Sequence, residues 1–396
     1  MASTTATAHP VKTIMLVAAE ASGDVLGAGL MTQLIARSDA ELRFVGIGGA
    51  RMAALGLKSP FDIAELSILG MVEGLKAYKR VKARVADTVA LAIREKPDAV
   101  ILINSWGFTL RVAHAIRAVM PDVALIKYVG PQVWATRPGR AKTLARSVDL
   151  LLALHPMDAP YFEREGLKTV VVGNPALNVD FTKADPKAID RVLDRREGQQ
   201  MLLVLPGSRP SEIKRLMPVF KATIERLLVE RPDLKVVLPV ADTVKALVHE
   251  AIGDLKNRVY LIDTEEEKLS AMKAVDLALA CSGTVSTELA LAGCPMIIAY
   301  KVEPLTYYIF KALSSLKYVT LFNIVAGKAI APEYLQKDCT VDNLVRAVRE
   351  RLDNPQVRRS QIEAQYAALD QMGRGQRPPA ELAAQSVVDF LKLTQA

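Results

Sequence analysis

The chain has 396 residues, 51% of them hydrophobic and 24% charged, which excludes a disordered or collagen-like chain and leaves room for two or three domains. Three cysteines and four well-separated histidines argue against a disulfide framework and a histidine-rich metal site, and for a reducing compartment. The net charge of +8 suits nucleic acid, an anionic membrane surface or a phosphorylated substrate without choosing among them.

In chain order, Thr13–Ala19 is an apolar run that stops at Glu20-Ala-Ser-Gly-Asp24, and helical periodicity follows over Leu26–Ala36. The opening apolar run reads as a strand rather than an export signal. Further strands are predicted at Arg43–Ile47, Ala99–Ile103, Ala124–Val129, Leu150–Leu154 and Thr169–Val172. Their nearly continuous Val/Ile/Leu content means burial on both faces, hence a parallel sheet covered by helices. A polar stretch, Asp180–Gln200, separates a second set: Met201–Leu205, a helix at Glu212–Glu230, then Lys235–Pro239, Val259–Ile262, Leu277–Ala280 and Met296–Tyr300. The fold class is therefore α/β, with two Rossmann-like lobes expected to face a cleft. The boundaries are placed at 1–178 and 179–365, with a tail, 366–396, whose helix after Pro378 carries an apolar stripe (Leu382, Val387, Val388, Leu391) suited to cross back to the first lobe. No apolar run reaches the ~18 residues of a membrane span.

Three turns carry candidate chemistry. Glu20–Asp24 ends the first strand and opens a helix; its glycines, at 23, 27 and 29, miss the dinucleotide spacing G-x-G-x-x-G, and Ser22 or Asp24 can simply cap the helix. Leu205-Pro-Gly207-Ser208-Arg209 offers backbone N–H groups and a guanidinium for a phosphate. Ser282, Gly283 and Thr284 precede a helix in the same manner, with Thr287 and Glu288 one turn in, where Glu288 can accept ribose hydroxyls; a capping box is compatible with this. A fourth segment, from Leu66 to Arg84, mixes Leu69, Met71, Val72 and Leu75 with Lys76, Lys79 and Arg80, the pattern of a basic interfacial helix or of an ordinary solvated face. Aromatics are only 5% and do not interleave with the cations, so nucleic acid finds little support.

Taken together the motifs resemble the lipid-A-disaccharide synthase family of bacterial glycosyltransferases. The resemblance rests on AEASGD at Ala19–Asp24, FVGIGGARM at Phe44–Met52, ELSILGMVE at Glu65–Glu73, YVGPQVWA at Tyr128–Ala135, LPGSR at Leu205–Arg209, the Ala280–Glu288 stretch and Asn323-Ile-Val-Ala-Gly327. It implies a GT-B architecture and an inverting, metal-independent, cofactor-free transfer. UDP-2,3-diacylglucosamine would be joined to 2,3-diacylglucosamine 1-phosphate as a β-1,6 disaccharide with release of UDP. It also implies UDP held by Gly207, Ser208, Arg209, Ser282, Gly283, Thr284, Thr287, Glu288 and Asn323, and a peripheral position on the cytoplasmic leaflet of the inner membrane; it leaves a homodimer open. No Asp-x-Asp metal motif occurs.

The sequence departs from the family where its candidate general base is expected. The family reads I-D-x-P-D-F after the third strand; here Asn104 and Gly107 stand at the two Asp positions. An amide does not take a hydroxyl's proton. Glu20 or Asp24 could serve as base, the acceptor phosphate or water could assist while Asn104 orients the hydroxyl, or the acceptor could differ. A related UDP-sugar transferase or epimerase, and a non-catalytic UDP-sugar-binding protein, are the alternatives.

Overall fold

The computed structural model describes residues 11–66, 74–303, 307 and 316–393. The chain divides into two units, Met1–Pro175 with Arg377–Ala396, and Ala176–Gln376.

In the first unit, β1 (Lys12–Ala18), β2 (Leu42–Ile47), β3 (Ala99–Ile103), β4 (Ala124–Tyr128), β5 (Leu150–Ala153) and β6 (Lys168–Val171) form one sheet in the order β2-β1-β3-β4-β5-β6. Every pairing is parallel. The continuous apolar runs are explained by the two faces. Met15 and Val17 enter one core, with Val112 and Ile116 of the helix Trp106–Val119. Ile14 and Leu16 enter the other, with Leu30 and Leu34 of α1 (Ala21–Arg37). Each such side chain, fully buried, stabilises by about 1.5–3 kcal/mol. α1 starts earlier than its periodicity predicted, so Ser22 and Asp24 lie within its first turn. It also lies close to the sheet: a Cβ on Gly27 would come within 2.5 Å of the Met52 sulfur and 3.1 Å of Ile103. We call the helix Gly74–Glu95 α2 and the helix Trp106–Val119 α3.

In the second unit, β7 (Met201–Leu205), β8 (Lys235–Pro239), β9 (Val259–Ile262), β10 (Leu277–Ala280), β11 (Met296–Tyr300) and β12 (Glu333–Leu335) form a second sheet, β12-β11-β10-β7-β8-β9. Its pairings are parallel as well. The helix after β7, α4 (Pro210–Glu230), buries Ile213, Leu216, Phe220, Ile224 and Leu227, one stripe at three- and four-residue intervals. α5 (Glu265–Ala274), α6 (Thr284–Leu291), α7 (Leu321–Ala326), α8 (Val341–Asp353) and α9 (Pro355–Gln371) complete the unit. α9 buries Ala368 and Leu369 in this unit's core. The last helix, α10 (Pro379–Leu391), belongs to the first unit, where Ala383, Ala384, Val387 and Val388 are fully buried with Leu30, Met31 and Leu34. Arg37 pairs with Glu381 at 2.8 Å beside that contact.

Both sheets reverse direction of growth at one point. In the first, β2 lies on one side of β1 and β3 on the other, with Ala18 beside Ile103. In the second, β8 lies on one side of β7 and β10 on the other, with Leu205 beside Ala280. The loops that leave such switch points diverge and open a crevice at the carboxyl ends of the strands, where ligands of open α/β sheets bind.

Candidate functional site

The second unit's switch point holds a cavity of about 640 Å³. Gly207, Ser208 and Arg209 line it from the end of β7, and Ser282, Gly283, Thr284 and Glu288 from the end of β10 and the start of α6. Two turns far apart in sequence therefore meet in one pocket, because β7 and β10 are hydrogen-bonded neighbours.

The β7 turn is held by a residue that its motif did not single out. Glu212, 7% exposed, accepts from the backbone N–H of Ser208 at 3.1 Å and of Arg209 at 3.3 Å, and pairs with the Arg209 guanidinium at 3.2 Å. The N–H of Ser208, expected to face a phosphate, is thus already committed to a carboxylate. The Arg209 side chain is 75% exposed and remains the turn's cationic group. Gly207 sits at φ +115°, and a Cβ there would run into the Glu212 side chain, so the turn requires glycine.

Glu288 lies at the other side of the pocket, salt-bridged to Lys268 at 3.1 Å. Lys268 also pairs with Glu265 at 2.7 Å. Burial would lower the Lys268 pKa, but the charges of Glu288 and Glu265 outweigh it and hold the ammonium above its usual value. Lys268, Thr264 and Glu265 line the pocket, and sequence reasoning missed all three. Their segment reads as an acidic first helical turn, with Thr264 capping α5 through the Glu267 N–H.

Two expected nucleotide contacts lie off the cavity lining. Asn323 is fully buried away from this pocket; its amide donates to Ala331 O and Glu333 Oε1, each at 2.8 Å, and its oxygen accepts from the N–H groups of Ile330 and Ala331. It ties α7 to the edge strand. Thr287 is 3% exposed on the inner face of α6 and does not line the cavity.

At the first unit's switch point, Glu20 follows β1 and Asn104 follows β3. The Asn104 amide donates to Glu20 Oε1 and, at 3.1 Å, to Ser22 Oγ. Asn104 and Ser105 both have left-handed backbones, φ +50° and +40°, which turns the chain sharply from β3 into α3. Lys127 of β4, 2% exposed, donates to Asn104 O and, at 2.8 Å, to Thr109 Oγ1. Burial pushes its amine down to about 7, opposed by the negative charge of Glu20. Lys127 was not foreseen, since it sits inside an apolar run that reads only as a buried strand. The loop after β4 is tied by Trp134, whose Nε1–H donates to Asp158 at 2.7 Å. Burial raises Asp158 to about 6.

Asp24, the other candidate base, is tied into the fold. It is 5% exposed, and its carboxylate accepts from the N–H groups of Gly49 (2.8 Å), Arg51 (2.9 Å) and Met52 (3.1 Å). Those bonds secure the turn after β2 and leave Asp24 no approach to a substrate hydroxyl.

Of the basic amphipathic segment, Leu69, Met71 and Val72 lie outside the described residues, as do the side chains of Leu75 and Lys76. Lys79 and Arg80 are exposed on α2. Among the described residues no helix is long and apolar enough to cross a membrane.

Two parallel sheets, each with polar side chains gathered at its switch point, define an α/β protein of the GT-B class. Solved structures share this fold: the S. aureus MnaA–UDP co-structure (TM-score 0.62, 17% identity, 97% of this chain and 98% of that one) and Neisseria meningitidis UDP-GlcNAc 2-epimerase bound to UDP-GlcNAc (0.61, 13%, 97% and 100%). At such identities the likeness concerns fold alone. The chain belongs to the lipid-A-disaccharide synthetase family, which it matches over residues 14–387. Similar relatives are the lipid-A-disaccharide synthases of Paramagnetospirillum magneticum, 41% identical over 96% of this chain and 97% of the relative, and of Ruegeria pomeroyi, 40% identical over 96% and 95%.

Proposed function

We propose that this chain is a glycosyltransferase that forms the lipid A disaccharide. It moves the 2,3-diacylglucosaminyl group of UDP-2,3-diacylglucosamine onto the 6-hydroxyl of 2,3-diacylglucosamine 1-phosphate. The observation that carries this, beside family membership, is that the Leu205–Arg209 and Cys281–Thr284 turns line one cavity. In this reading Arg209 and the N-terminus of α6 take the diphosphate, and Glu288 accepts the ribose hydroxyls while Lys268 fixes its carboxylate. Gly207 and Ser208 shape the turn.

The acceptor oxygen attacks the anomeric carbon of the donor from the face opposite the diphosphate. The carbon–oxygen bond to UDP breaks, and its electron pair leaves with UDP, stabilised by Arg209. The hydroxyl proton passes to Glu20, the carboxylate that Asn104 orients. Inversion gives the β-1,6 linkage. Lys79 and Arg80 of α2 would hold the enzyme on the cytoplasmic leaflet, where both acylated substrates reside. Flotation with anionic vesicles at low salt tests that part: protein left at the bottom of the gradient refutes it.

Mass spectrometry of products formed from the two substrates by the purified protein tests the reaction. A disaccharide 1-phosphate with UDP release is expected. UDP binding without disaccharide would favour the non-catalytic alternative, and conversion of donor without acceptor an epimerase. In the same assay Arg209→Ala should lower kcat/KM by roughly 10²–10³-fold. The side chain is 75% exposed, so the variant should melt as the parent does.

A further inference from the structure

We propose that Arg137 and Arg140 form a subsite for a phosphomonoester, the anomeric phosphate of the acceptor sugar, beside the Glu20–Asn104 pair. The inference rests on the transfer reading above for the identity of the ligand and on the structure for the subsite.

Four observations place a dianion here. First, the loop after β4 folds into a turn, Arg137-Pro-Gly-Arg140, closed by the Arg140 N–H on Arg137 O at 3.0 Å. Two guanidinium-bearing residues thus share one turn at the carboxyl end of the sheet. Second, among the described residues neither guanidinium has a carboxylate partner. Burial and the like charge of Arg137 both push Arg140 down, as they do for a cation pair with nothing to compensate it. Arg195, by contrast, is paired with both Asp190 and Asp276. Third, Arg140 is held in place: its guanidinium lies over the Trp106 ring at 5.1 Å. Trp106 is two residues beyond Asn104, so the stack joins the arginine turn to the turn that aims at Glu20. Fourth, Arg137 has φ +53°, a left-handed backbone that a bulky side chain adopts only at a cost. Such strain persists where surrounding structure imposes it, and here Trp134 anchors the loop to Asp158.

A phosphomonoester fits this pair better than a carboxylate does. Two forks offer several N–H donors to three phosphate oxygens, and the second negative charge offsets the second cation. The acceptor carries such a group on C1, and the attacking 6-hydroxyl hangs from C5, on the other side of the ring oxygen, so the rigid ring holds the two at a fixed spacing. Fixing the phosphate on this turn would therefore direct the hydroxyl toward the carboxylate at β1. An anionic phospholipid headgroup is the other source of the same chemistry.

The test uses the full chain and three variants, Arg137→Gln, Arg140→Gln and the double substitution, each checked by thermal melting. Initial rates are measured with the sugar 1-phosphate and with its dephosphorylated analogue. Equilibrium binding of the sugar 1-phosphate, and flotation with phosphatidylglycerol vesicles, are measured in parallel. The parent should prefer the phosphorylated acceptor by roughly 10²-fold or more, since the analogue forgoes the charge-assisted hydrogen bonds of both guanidiniums. Each single variant should raise the acceptor KM at least about 10-fold with the donor KM unchanged, and the double variant should lose the preference. Equal losses on both acceptors would overturn the subsite. Reduced flotation with the preference intact would assign the arginines to a lipid headgroup and overturn it as well. If the parent makes no disaccharide from either acceptor, the transfer reading fails by itself. Binding then decides: sugar 1-phosphate affinity weakened by the variants supports the subsite, and unchanged affinity refutes it.

Discussion

At position 104 an amide changes what Glu20 can do. The Asn104 nitrogen donates to Glu20 Oε1, so the carboxylate is oriented without a second carboxylate beside it. Asn104→Asp would remove the donor and set two carboxylates against each other. Such a pair shares its protons, and one apparent pKa rises. The acid limb of the kcat/KM profile should therefore move up by about one unit or more, with activity depressed near pH 6 and approaching the parent near pH 9. A pH–rate series on the two proteins checks this; superimposable profiles would mean that Glu20 and residue 104 do not act together. The same scale shows what two candidate positions do in the fold. Asp24 and Asn323 belong to short polar motifs that suggest ligand contact, but each spends its hydrogen bonds on backbone groups of a neighbouring loop. Motif membership records that a residue is needed there; only the partners of its side chain show for what.

The strands and helices differ in how far the chain's pattern announces them. The central strands, β1, β3, β4, β5, β7, β10 and β11, are mostly runs of Val, Ile, Leu and Ala bounded by turn residues, and burial on both faces makes them continuous, whereas β2 and β6 are only partly buried. β12, Glu333–Leu335, has no such run: it is a half-buried edge strand defined by pairing with β11. The pocket's two turns are legible because each follows a strand and opens a helix. Lys268 is not, because its tie to Glu288 joins α5 to α6 through the tertiary fold. Lys127 is hidden likewise: it clamps β4 to the β3–α3 turn from inside an apolar strand. Its effect is measurable as stability. Burial holds the folded amine at about 7 against an ordinary 10.5. Between those values the unfolded chain binds a proton that the folded chain does not. Stability from this group is therefore present above the unfolded value and is lost as pH falls through about 7. The swing is of the order of a few kcal/mol, at about 1.4 kcal/mol per unit. Lys127→Met lacks it. The melting temperature of the parent minus that of the variant should become more positive by roughly 5 °C or more from about pH 7 to about pH 10. A constant difference would mean that Lys127 stays charged in the fold.

On the scale of the whole chain, the first unit is completed by residues that come last. Its core on one face joins α1 and the inner side of α10 to the even-numbered side chains of β1 and to inward side chains of β3, β4 and β5. Met31 and Leu34 pack there with Val387 and Val388, and the N–H of Asp39 reaches Leu393 O at 3.2 Å. This fold requires the chain to leave one unit, build the other and return. The stripe of α10 showed that it needed a partner, but Arg37–Glu381 and the small-residue approach of Gly29 to Ala380 are visible only in three dimensions. Val388→Asp would bury a carboxylate at a site with no solvent exposure, a change that costs several kcal/mol and takes up much of a unit's roughly 5–15 kcal/mol. Hydrogen exchange should show amide protection lost over β1 to β6 and α1 and kept over β7 to β12. Val388→Ala, at about 2 kcal/mol, should give the same pattern more weakly if the first variant does not accumulate. Protection lost equally from both sheets would show that the two units unfold as one cooperative body, so that damage on the last helix also reaches the pocket between β7 and β10. Protection lost only from the first unit would leave that pocket folded in a protein that transfers nothing, and UDP binding retained there would separate nucleotide binding from acceptor activation within one chain.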